Sequence, residues 1–138
     1  MSGALVFARG DWIDPVRQDP GHLYMGEEFG LSVRSFTHGF DLFEPARVVV
    51  WHRMHPEPNR KWISDFEDAT VTRRHQRAMA RLRLLLAGDP GRRLGRYSLG
   101  RERSLADYHR FSGLDCANYT IHPDAERGIP PDPLTISD

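Results

Sequence analysis

The sequence predicts an α/β fold with a few short strands and about three helices. Two observations carry this reading. Short apolar runs at residues 3–8 and 48–51 have the length of strands and are too brief for helices. Elsewhere, apolar residues recur at helical spacing in segments that carry their own start and stop signals. At 138 residues the chain has the length of one domain. Hydrophobic residues at 39% and charged residues at 28% support a modest packed core rather than disorder.

The run at residues 3–8 (Gly3-Ala4-Leu5-Val6-Phe7-Ala8) reads as a buried strand. Residues 9–26 are rich in Asp, Pro and Gly, including Asp14-Pro15 and Asp19-Pro20-Gly21, and read as a loop. Loops of that length in a compact domain are commonly functional. Residues 27–38 read as a helix: Phe29, Val33 and Phe36 fall at i, i+4 and i+7. Glu27 and Glu28 occupy its first turn, and Gly39 supplies a stop. Residues 40–43 and 48–51 read as two strands separated by Glu44-Pro45, while Pro56 and Pro58 exclude a regular helix directly after them. Residues 69–87 form the next helix, with Met79, Leu82 and Leu86 as the core stripe and Ala78 and Leu85 beside it. Arg73, Arg77 and Arg81 line another face of it. Residues 104–111 form a short helix that Ser104 caps and Gly113 terminates. From His122 the chain carries four prolines and no apolar periodicity. The domain is therefore drawn at residues 1–121, with 122–138 an extended or disordered tail.

Nineteen basic residues balance nineteen acidic ones, and the pI is near 7.1. Nucleic acid is not an expected partner. No apolar run is long enough to span a bilayer, and no basic segment precedes the first apolar stretch. A soluble cytoplasmic protein that does not engage membrane is the expectation. Cys116 is the sole cysteine, which excludes an internal disulfide and any multi-cysteine zinc site.

Four groups of residues invite a chemical reading. Glu27 and Glu28 stand where a long loop meets a helix, and carboxylates there can orient hydroxyls, ligate metal or act as base. Equally, acids in a first turn suit the helix dipole without any further role. His52 ends the run Val48-Val49-Val50-Trp51, where an imidazole can face a cleft as a metal ligand or simply close a strand. Ten arginines fall between residues 73 and 103. Acids dilute them and the single aromatic among them, Tyr97, does not make an interleaving pattern that supports base stacking, so a solvated helix face explains them best. Cys116 has no histidine at suggestive spacing and reads as a core residue.

Taken together, residues 2–115 resemble a specific family. The strings Asp19-Pro20-Gly21-His22-Leu23-Tyr24-Met25-Gly26-Glu27-Glu28, Leu31-Ser32-Val33-Arg34-Ser35-Phe36-Thr37-His38-Gly39-Phe40-Asp41-Leu42-Phe43 and Val48-Val49-Val50-Trp51-His52 are similar to the N-acetylglucosaminyltransferases that include the cytoplasmic hydroxyproline-modifying enzymes. Arg103-Ser104-Leu105-Ala106-Asp107-Tyr108 and Ser112-Gly113-Leu114-Asp115 resemble that family's C-terminal part.

The resemblance implies a GT-A-like glycosyltransferase fold, a UDP-sugar donor, a divalent metal (Mn or Mg) on the diphosphate, and a hydroxyl acceptor. By position it implies that Glu27 and Glu28 are catalytic, and that His52 completes the metal ligands. Asp19, His22 and Tyr24 would border the acceptor, and Arg34 would brace the helix or the substrate site. The family's metal and diphosphate are held chiefly by an Asp-x-Asp motif, and none occurs in this sequence. The chain is therefore expected to correspond to the C-terminal, acceptor-side half of a partial GT-A-like fold, weakly active or inactive alone. The alternatives are a non-catalytic acceptor-binding or interaction module and one half of a split enzyme. With Leu5 and Phe7 thinly covered, either a homodimer or a partner chain is expected.

Overall fold

The computed structural model describes residues 5–22, 26–51, 66–89, 92–116 and 118–129. Among them are four α-helices: α1 (Glu27–Thr37), α2 (Asp68–Leu86), α3 (Leu105–Ser112) and α4 (Pro123–Glu126). Two strands, β1 (Leu114–Asp115) and β2 (Thr120–Ile121), pair antiparallel with Leu114 opposite Ile121 and Asp115 opposite Thr120. Short 3-10 turns lie at Gly10–Trp12 and Gly95–Tyr97. The architecture is thus mixed, helices with one small sheet.

α1 is the centre of the fold. Val33 and Phe36 from its predicted stripe enter the core with Leu85, Leu94 and Tyr108. The Phe36 ring stacks on Phe111 at 4.8 Å and meets Tyr108 edge-on at 5.6 Å, which locks α3 against α1. The polar side of α1 is buried as well, because loops cover it, and its hydroxyls therefore need partners. Ser32 donates to the Glu28 carbonyl at 2.8 Å. Thr37 donates to the Val33 carbonyl at 2.9 Å and accepts from the Gly100 amide at 2.9 Å. Gly100 lies so close to the Thr37 carbonyl that a Cβ there would collide with backbone.

Each predicted helix is present within a residue or two. α3 carries the Ser104 cap, completed as a capping box by Asp107, and ends at Gly113 with φ of 68°. On α2 the buried residues are Ala78, Leu82 and Leu85, whereas Met79 and Leu86 are half-buried. The stripe is rotated from the one predicted, since i, i+4 and i+7 from Ala78 gives the better-packed face.

The strand expectations fail over the described residues. Leu5 forms an isolated bridge and residues 6–9 are irregular; residues 40–43 and 48–51 are irregular too. Val48, Val49, Val50 and Trp51 are exposed rather than buried. A strand is stable only when neighbours satisfy its backbone and cover a face, and no described segment does so for these runs. The sheet forms instead at β1 and β2, where an Asp115 side chain accepting from the Asn118 amide (3.1 Å) shapes the turn. The tail reading is corrected in part: His122 caps α4, and Pro123 takes its first position, where proline is favoured.

Candidate functional site

The loop that precedes α1 folds back along the helix and builds a small crevice at its N-terminal end. Val16 of the loop is fully buried, and the Trp12 indole donates to Ser35 at 3.0 Å. Gly26 allows the chain to enter the helix: its φ is 79°, and a Cβ would stand 2.7 Å from Leu82 Cδ2. Gln18, Asp19, His22, Glu27, Arg34 and Tyr97 line the crevice over a floor that includes Gly30, Leu85 and Leu94. It has room for about one water molecule, hence for one hydroxyl group.

Asp19 anchors the loop. Its Oδ2 accepts from Arg81 Nε at 2.8 Å and lies 2.7 Å from Arg81 Nη2, while Oδ1 accepts from the Gly21 amide at 2.8 Å. The aspartate side chain is 7% exposed and that of Arg81 21%. Arg81 is therefore not part of a solvated arginine face. It flanks the buried stripe at Ala78 and Leu82, and its guanidinium turns into the loop.

Arg34 is 2% exposed. Its guanidinium donates to the carbonyls of Arg17 (2.5 Å), Pro15 (3.2 Å), Ser98 (3.4 Å) and Arg96 (3.4 Å). It also lies 5.7 Å from the Tyr97 ring centre. One side chain thus ties both flanking loops to α1, and the planar fork of arginine makes four such bonds feasible.

His22 packs beside Asp19, with Nε2 at 3.7 Å from Oδ2 and Nδ1 buried without a hydrogen-bond partner among the described residues. Burial pushes its imidazole below the ordinary range; Asp19 opposes this and Arg81 reinforces it. Desolvation dominates, so His22 is neutral at pH 7 and its contact with Asp19 is not an ion pair. Glu27 accepts from Gln18 Nε2 at 3.2 Å and faces the crevice mouth. Glu28 is exposed and does not line the crevice.

Of the residues singled out in the sequence, Asp19, His22, Glu27 and Arg34 are brought together and Glu28 stands apart. Tyr24 and His52 lie outside the described residues. Gln18, Arg81 and Tyr97 join the site without having been anticipated. Among the described residues no three His, Cys, Asp or Glu side chains converge to hold a metal ion. Asp19 is already occupied by Arg81, whose cationic head would repel a second cation. These residues do not fit the divalent metal. No described helix is long and apolar enough to cross a membrane.

Fold and crevice together define a mixed α/β protein with a water-sized crevice beside the first turns of α1. A family model described as Glycosyltransferase (GlcNAc) matches residues 1–118, and the chain belongs to that family. Neither a curated protein nor a solved structure matches it.

Proposed function

We propose that the chain is the acceptor side of a GT-A-type N-acetylglucosaminyltransferase, related to the hydroxyproline-modifying enzymes and acting with a UDP-sugar and a hydroxyl acceptor. The observation that carries this reading is the crevice itself: an acceptor hydroxyl fits it, and this crevice is far too small for a nucleotide sugar.

In this reading Glu27 accepts a hydrogen bond from the acceptor hydroxyl and fixes the lone pair that attacks the sugar. Gln18 holds the carboxylate from the other side. Neutral His22 offers a hydrogen-bonding nitrogen without adding charge. Asp19, Arg81 and Arg34 position this group of residues rather than touch the substrate. As the hydroxyl oxygen bonds the anomeric carbon, the sugar–diphosphate bond breaks, the nucleoside diphosphate leaves, and the hydroxyl proton passes to the Glu27 carboxylate. A divalent metal, when bound, would neutralise the leaving diphosphate, and the described residues of the crevice would not hold it.

NMR titration of the full chain with a hydroxyproline peptide tests the proposal, with the same peptide bearing proline as control. The hydroxylated peptide alone should shift the Gln18, His22 and Glu27 signals, and Glu27→Gln should weaken that response about tenfold. Equal shifts from both peptides, or none from either, would remove the acceptor assignment.

A further inference from the structure

A second feature is independent of sugar transfer. Residues 5–9, 11–12 and 39–50, with Phe111, line one open groove. Its apolar side chains are turned outward: Phe7 is 99% exposed, Phe43 87%, Val48 70%, Val49 58%, Val50 46% and Leu5 45%. These six leave on the order of 700 Å² of largely apolar surface in water, given about 150–250 Å² for each aromatic. A stable interface takes about 800 Å² from each partner. Monomers rarely leave a contiguous apolar surface of this size uncovered.

We infer that this groove is the interface of a two-fold symmetric homodimer, in which each copy's 48–51 segment lies against the other. Three observations select a second copy as the occupant. The area matches what one standard interface requires. The charges around the groove are mixed: Arg9 pairs with Asp11 at 2.8 Å, and Glu44 and Arg47 carry opposite signs three residues apart. Such a rim suits its own copy and repels neither sign, which disfavours nucleic acid and anionic lipid. Third, among the described residues the backbone of 41–51 makes no hydrogen bond. A run of β-branched valines whose backbone makes no hydrogen bond to another described residue suits edge-to-edge pairing, and two-fold symmetry lets the same edge serve both copies.

Sedimentation equilibrium on the purified full chain over about 1–100 μM tests this. The expected result is a monomer–dimer equilibrium with a low-micromolar Kd. Phe43→Glu and Val49→Lys should each raise that Kd at least a hundredfold. Both side chains are exposed, so circular dichroism and the melt of the variants at low concentration should match the parent. A monomer throughout the range overturns the inference. So does a dimer that survives both substitutions, open-ended aggregation, or self-association replaced by a defined complex with another protein.

Discussion

Replacing Arg81 by methionine keeps most of the stem that packs along α2 and deletes the charge that Asp19 requires. The two groups meet through two contacts of 2.7–2.8 Å on one carboxylate oxygen, with Asp19 almost wholly buried and Arg81 about four-fifths so. Removing one partner of a fully buried pair costs roughly 3–5 kcal/mol. Partial exposure of Arg81 lets water reach the site, and the Gly21 amide still serves the other oxygen. We therefore expect about 2–3 kcal/mol, of which 1.5–2 kcal/mol is coupling to Asp19. At this chain length that corresponds to a fall in Tm of about 10 °C. Urea unfolding of the parent, Asp19→Asn, Arg81→Met and the double variant gives the coupling directly. If Arg81→Met destabilises by less than about 0.5 kcal/mol, or the two effects simply add, the loop is not held by this pair.

Two further outcomes follow from buried charge. Arg34→Lys keeps the charge but cannot reach four carbonyls at once, so about 2–3 kcal/mol of stability should be lost in urea melts; a loss within error would show that the fork is dispensable. Burial lowers the imidazole pKa of both His22 and His38. The unfolded chain then binds protons that the folded one resists, so stability should fall as pH drops from about 6.5 toward the lowered folded values. The urea midpoint should decrease between about pH 7.5 and 5.5, and His22→Gln should flatten part of that slope. A level midpoint in both proteins would mean that neither imidazole is buried neutral.

The helices were legible because their signals are local. Phe29, Val33 and Phe36 state the core face of α1 by spacing alone, and Ser104 with Gly113 brackets α3. The strands were not, because Val48 to Val50 has the composition of a buried strand whether or not a neighbour exists to pair with it. Spacing also left the α2 face ambiguous by one step, and the buried face is the one that brings Leu85 onto Val33 and Phe36. Within the site, Asp19, His22 and Glu27 were found from one contiguous string. Arg81 lies 62 residues from Asp19, and nothing in its own neighbourhood distinguishes it from the solvent-facing arginines of the same helix. Arg34 is the intermediate case: its place on the helix was evident, but the four carbonyls it serves exist only once the loops have folded.

The central claim is that these residues hold an acceptor hydroxyl and leave the donor diphosphate to other groups. Calorimetric titration of the full chain with UDP-N-acetylglucosamine and manganese tests it most directly. A diphosphate needs several charge-assisted contacts and a shared metal, and no three His, Cys, Asp or Glu side chains among the described residues converge to hold that metal. The account predicts no saturable heat up to about millimolar donor. A manganese-dependent affinity in the low micromolar range would contradict it.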